Sequence, residues 1–215
     1  MARKTIFSNG EFYHVYNRGV DKRDVVSSIV DVERFLQGME EFNVIEPIGS
    51  LYENSFLKDK GSLESEASKS KLVNIVAYCL NPNHYHFLLE QVVEKGVEKF
   101  MHRLGTGYTK YFNLTHQRTG SLFQGVFKSI HVDSNEYILH LSSYINLNNR
   151  VHQLGSEASK LVRSSWQSYL DFKQKNIITE QFSNAAEYQD FAIEALESIV
   201  ARRREERELA NMLLE

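Results

Sequence analysis

The 215 residues are 42% hydrophobic and 25% charged, a composition that fits one globular domain or one with an appendage, and the single Cys79 excludes a disulfide framework or a cysteine-cluster metal site. No apolar run reaches the roughly 20 residues that span a bilayer and no signal-peptide core opens the chain, so the expected location is the cytoplasm, without a membrane partner. Net charge is −3, yet residues 95–131 hold six Lys and Arg against Glu98 alone, a basic middle that fits either a polyanion partner or a solvated helix face.

Residues 11–18 (EFYHVYNR) alternate and are rich in aromatics, which predicts a strand with His14, Tyr16 and Arg18 on one face and Tyr13 and Val15 on the other. Residues 31–44 place Val32, Phe35, Leu36, Met39 and Phe42 at helical spacing, with Pro47 and Gly49 as the stop. Residues 57–70 are small and polar and read as a flexible connection. Within it the pentapeptide 65–69 recurs at 156–160, also expected in a loop.

Residues 73–80 form an apolar strand that turns through Asn81-Pro82-Asn83 into a second strand, giving a hairpin. Residues 97–112 predict a helix that Gly105 and Gly107 loosen, 118–125 a basic glycine-punctuated loop, and 126–132 a short strand. Asp133 with Glu136 reads as a capping box opening a helix through Asn149. The order strand, helix, strand, strand, helix, strand is that of an α+β, ferredoxin-like (RRM-like) antiparallel sheet with helices on one face. Residues 1–152 would make this domain and 153–215 a C-terminal helical extension. In that extension, 184–214 is a long charged helix, read as a solvated surface or a partner-binding tail.

The chemistry centres on N-P-N-H-Y-H-F-L-L-E at 81–90. His84 and His86 sit two apart on a strand, so both imidazoles leave the same side while Tyr85, Phe87 and Leu89 enter a core. Alone they are half a metal site or simply two solvent-facing histidines. Tyr144 and Asn148, four apart on the later helix, share one face. Asn148 offers an amide oxygen as a third ligand for a divalent metal such as Mg²⁺ or Mn²⁺, and Tyr144 a hydroxyl to attack a polarised phosphate and form a phosphotyrosine. Tyr137 is the rival nucleophile, and a helix C-cap is the plain structural role for Asn148.

Five co-linear stretches resemble the single-tyrosine HUH transposases, specifically the REP-associated tyrosine transposase group. They are YHVYNRGVDKRD at 13–24, AYCLNPNHYHFLL at 77–89, GTGYTKYFN at 105–113, RTGSLFQGVFK at 118–128 and YINLN at 144–148. SSWQSY at 164–169 adds a further match, whereas Asn149 stands where the family usually has proline. The resemblance implies a DNA strand transferase that cleaves single-stranded hairpin DNA. His84, His86 and Asn148 would hold the metal, and Tyr144 would form a 5′-phosphotyrosine and leave a free 3′-OH. It also implies a bacterial, nucleoid-associated setting and leaves a homodimer open.

His14, Arg18, Lys22, Arg23, Tyr108, Lys110, Arg118 and Lys128 are candidate DNA-binding residues, as phosphate contacts or, for Tyr108 with Tyr111 and Phe112, as stacking platforms. The alternative is a catalytically idle hairpin-DNA-binding protein. An RNA-binding sheet should carry aromatics where this one carries histidines.

Overall fold

The computed structural model describes residues 5–59, 70–152, 155–172 and 175–212. Stretches rich in aromatic and β-branched residues form β1 (Phe12–Arg18), β2 (Val73–Asn81) and β3 (His84–Gln91), flanked by β4 (Lys128–Val132) and the two-residue β5 (Arg163–Ser164). The sheet order is β4-β1-β3-β2-β5, with every neighbouring pair antiparallel. Between these strands run α1 (Ile29–Glu41), α2 (Leu51–Asp59), α3 (Gly96–Thr115), α4 (Asn135–Asn146), α5 (Asn148–Val151) and α6 (Ser156–Lys160). The helices α7 (Trp166–Leu170) and α8 (Ala185–Met212) follow β5. The order β4-β1-β3-β2, with α1 and α3 as crossovers, is the ferredoxin-like arrangement expected.

Strand alternation divides the core in two. Tyr13, Val15, Tyr85, Phe87 and Leu89 pack against Phe35 of α1 and Phe100 and Leu104 of α3, all buried. Each such side chain contributes roughly 1.5–3 kcal/mol of burial. The other face, expected to be open, is roofed: Ala77, Cys79 and Leu88 pack with Ile138, Leu141 and Ile145 of α4 and with Tyr169, Tyr188 and Ala192 of α7 and α8. The first turns of α8, expected to be a solvated charged surface or a partner-binding tail, are therefore packed against this core. Among the described residues no helix is long and apolar enough to cross a membrane.

One irregularity decides which residues reach the second face. The β2–β3 register shifts between Ile75 and Ala77, a bulge at Val76. Before it, Val73 and Ile75 belong to the α1/α3 core; after it, Ala77 and Cys79 belong to the α4 core. A bulge inserts one residue and re-aims those beyond it. It thereby turns Asn81 toward the same side as His84, its cross-strand partner.

Several boundaries differ from expectation. Residues 51–59 are helical, so the connection read from residue 57 begins later; 60–69, including the first copy of the pentapeptide, lie outside the described residues. The second copy is the short helix α6, not a loop. The first helix starts and ends earlier than 31–44, with Ser28 as N-cap and Phe42 as C-cap. The final ferredoxin-like strand begins at Lys128, not Val126. Helix α3 runs unbroken through its glycines: a Cβ on Gly107 would stand 2.8 Å from the Phe42 ring, so this glycine serves close packing rather than a break. Ser134, not Asp133, caps α4, its hydroxyl accepting from the Tyr137 N–H.

The start of α1 is pinned to the end of α3 by Asp31, which is fully buried. Its carboxylate accepts from the Ser27 N–H at 2.9 Å, the Tyr111 hydroxyl at 3.1 Å and His116 Nε2 at 3.0 Å. Burial pushes its pKa up, but hydrogen bonds from His116, Ser27 and Ser28 outweigh that and hold it below the usual aspartate value. A depressed carboxylate pKa stabilises above the unfolded value, and that stability is lost as pH falls through the folded pKa. Asp31→Asn should therefore cost about 2–3 kcal/mol at about pH 7 in urea denaturation, with the deficit shrinking below about pH 4. A deficit independent of pH would contradict this role.

Candidate active site

The hairpin makes the site by pairing. A two-residue turn, Pro82-Asn83, leaves Asn81 and His84 opposite each other and Cys79 opposite His86, while β1 sets Tyr16 opposite His86 and Arg18 opposite His84. As alternation requires, Tyr85, Phe87 and Leu89 are buried on the far face. Burial pushes the Cys79 thiol up to about 12, so it is neither ligand nor nucleophile at neutral pH.

The orientation of His84 follows from Asn83. The Asn83 Nδ2 group donates to the Lys22 carbonyl at 3.1 Å, so it is Oδ1 that faces His84 Nδ1, at 2.6 Å. A carbonyl oxygen only accepts, so Nδ1 carries the proton and Nε2 presents its lone pair. That lone pair lies 3.0 Å from Asn148 Oδ1. The Asn81 amide bridges the two acceptors, reaching His84 Nε2 at 3.0 Å and Asn148 Oδ1 at 2.8 Å. Burial lowers the His84 pKa, with Asn148 opposing and Arg18 adding to the shift, which favours the neutral ring.

His86 is held from behind by His14, whose Nε2 lies 2.9 Å from His86 Nδ1. Burial lowers the His14 pKa to about 4, so His14 is a neutral acceptor when His86 Nδ1 donates, and His86 Nε2 is then a second lone pair. Tyr16 stacks on His86 with ring centroids 5.6 Å apart. The Tyr144 ring stands edge-on to His86 at 5.5 Å and to His14 at 6.3 Å.

The one continuous helix expected to carry both Tyr144 and Asn148 is broken between them. Leu147, at φ −108 and ψ 19, separates α4 from α5, and Asn148 opens the new helix fully buried. Leu147 N–H still bonds the Ser143 carbonyl, so the chain turns without parting the two side chains from the histidines. Tyr137 is 38% exposed in the first turn of α4, about 10 Å along the helix from Tyr144.

Among the described residues no three His, Cys, Asp or Glu side chains converge as a metal group, so a cation site here depends on the amide of Asn148. The donors fit. Neighbouring ligands of an octahedral ion with bonds of about 2.1 Å stand about 3 Å apart, which is the 3.0 Å separation of His84 Nε2 from Asn148 Oδ1. Asn148 Nδ2 is buried without a hydrogen-bond partner, so its Oδ1 is the end that the site engages.

The candidate DNA contacts separate into groups. Arg18, Lys22 and Arg23 are exposed at the histidine end of the sheet. Asp21 and Lys22 adopt left-handed φ values of 54° and 61°, and Arg23 reaches Asp21 at 3.4 Å. Lys128 is exposed on β4, opposite Tyr16. Lys110 is exposed on α3, and the half-buried Arg118 lies 5.6 Å over the Phe112 ring, both on the α1/α3 side. Tyr108 is 3% exposed and donates to the Val25 carbonyl at 2.6 Å; it is a core residue and not a stacking platform. His14 is likewise buried behind His86 rather than facing a DNA surface.

Sequence reasoning missed Asn81, Asn83 and the stacking role of Tyr16. It also missed His152, whose ring lies 4.9 Å from that of His84. The two asparagines flanking Pro82 were visible only as turn formers.

Residues 50–148 match the family described as transposase, IS200-like, a span that holds both histidines, Tyr144 and Asn148. Over that span the chain is similar to the IS200-like transposases. A solved REP-associated tyrosine transposase bound to a REP hairpin shares the fold of this chain. The TM-score is 0.51 at 13% identity, over 82% of this chain and 89% of that one. No curated protein matches the sequence.

The hydrogen bond behind His86 generates a test. His14→Phe keeps an aromatic ring but removes the acceptor, and should weaken Mn²⁺ binding about tenfold or more by calorimetry. Unchanged affinity would show that His14 does not orient its neighbour.

Proposed function

We propose that this IS200-like protein is a single-stranded DNA strand transferase of the REP-associated tyrosine transposase group, acting on hairpin DNA. The observation that carries the reading is the convergence of His84 Nε2 and Asn148 Oδ1, 3.0 Å apart, with His86 beside the Tyr144 ring. His84, His86 and Asn148 would hold Mg²⁺ or Mn²⁺, which when bound polarises the scissile phosphate. Tyr144 Oη attacks the phosphorus, forming the Oη–P bond as the P–O3′ bond breaks; the hydroxyl proton leaves to solvent and the departing oxygen takes one up. The product is a 5′-phosphotyrosine and a free 3′-OH. One phosphodiester replaces another, so rejoining needs no nucleotide cofactor.

Arg18, Lys22 and Arg23, exposed at the same end of the sheet, are suited to the phosphates leading into the site and would make affinity fall with salt. The C-terminal segment supports a nucleophile acting within its own chain. Asn146, two residues past Tyr144, accepts from Ser165 Oγ at 2.6 Å and donates to the Tyr188 hydroxyl at 2.9 Å, which ties the end of α4 to β5–α8. In this reading residues 153–215 brace the transposase domain.

Incubation with labelled single-stranded hairpins and Mn²⁺, followed by denaturing electrophoresis, should give a protein-linked band. Tyr144→Phe and chelator should each abolish it, and Tyr137→Phe should keep it. Hairpin binding with no adduct under any metal would establish instead an idle DNA-binding descendant of a transposase.

A further inference from the structure

The turn that carries His84 also anchors the basic loop. Residues 19–26 are laced to it by the backbone: Gly19 N–H donates to the Asn83 carbonyl at 2.9 Å, and Val25 and Val26 donate to the Pro82 carbonyl at 2.7 and 3.0 Å. Gly19 is required at the loop's closure, since a Cβ there would stand 2.1 Å from the Arg23 carbonyl oxygen. The loop holds two consecutive non-glycine residues, Asp21 and Lys22, in the left-handed region, a conformation that persists only where surroundings impose it. One side-chain bond does so directly, from Asn83 Nδ2 to the Lys22 carbonyl at 3.1 Å.

The other end of the same amide accepts from His84 Nδ1 at 2.6 Å. The two bonds are not independent. An amide has one donor end and one acceptor end, so satisfying the Lys22 carbonyl dictates that Oδ1 meets His84, which in turn dictates the tautomer that frees Nε2. We propose that Asn83 is a positioning residue that couples the basic Gly19–Arg23 loop to His84, so that the placement of Lys22 and the aim of the His84 lone pair at the cation are set together. This rests on the strand-transfer reading and deepens it: a phosphate gripped by the loop is registered against the metal-binding edge through a single side chain.

Three measurements on the full chain test it. The first is nitrogen-15 NMR of the histidine rings without metal, the second Mn²⁺ affinity without DNA, and the third hydrogen exchange of the amides at Lys22, Arg23, Val25 and Val26. Wild type should show His84 protonated on Nδ1. Asn83→Ala should lose that preference, bind Mn²⁺ about 10–100-fold more weakly and speed exchange in the loop. Asn83→Asp keeps an acceptor for His84 but sets a carboxylate oxygen against the Lys22 carbonyl. It should restore the tautomer and Mn²⁺ affinity while the loop stays fast, a rescue that a merely structural role would not give. His84 protonated on Nε2 in wild type, or Mn²⁺ affinity indifferent to Asn83→Ala, would overturn the proposal alone. A wild type that takes up no Mn²⁺ would overturn the strand-transfer reading and the proposal with it.

Discussion

Everything at the site depends on the tight hairpin that makes Asn81 and His84 cross-strand partners. Because the turn has only two residues, Asn81, Asn83 and His84 come together, and the Asn81 Nδ2 group and both ends of the Asn83 amide find directional partners. The bulge at Val76 is the second half of that constraint. Without it β2 would keep the alternation of Val73 and Ile75, and the Asn81 side chain would enter the α1/α3 core instead of meeting Asn148. A one-residue irregularity thus separates a polar cradle from an ordinary strand.

The second layer supplies rigidity. The proposed role of Tyr144 as a nucleophile would require it to be held close to its reacting geometry to gain from proximity. Here Tyr144 sits on a helix packed on its own sheet by Ile138, Leu141 and Ile145 and buttressed by Tyr188 from α8. Polar groups buried along this seam, Ser142, Asn146 and Ser165, are mutually satisfied through Tyr188 and Asn146. Such networks fix one arrangement because any half-made alternative strands a buried donor or acceptor.

The ferredoxin-like order was legible because β1, β2 and β3 are long and rich in aromatic and branched residues, and because α1 and α3 keep a helical period. His84, His86, Tyr144 and Asn148 were legible by spacing and by resemblance, and the structure brings them together. The polar partners were not legible. Asn81 and Asn83 read as turn residues, since their roles depend on a bulge and on the carbonyl of Lys22, neither of which has a sequence signature. Tyr108 was misplaced because an aromatic beside Lys110 reads the same whether it faces solvent or the Val25 carbonyl. The roofing of the second face was missed because α7 and α8 show too little apolar periodicity to announce packing.

The central claim is that His84 and His86 ligate one divalent cation beside Tyr144. Pulsed electron paramagnetic resonance of the Mn²⁺-loaded protein tests it most directly, since nitrogen couplings count the imidazoles bound to the ion. The account predicts two directly bound imidazole nitrogens in wild type and one in either His84→Ala or His86→Ala, with the signal surviving in Tyr144→Phe. Mn²⁺ bound with no imidazole coupling, or with couplings unchanged by both histidine substitutions, would contradict it.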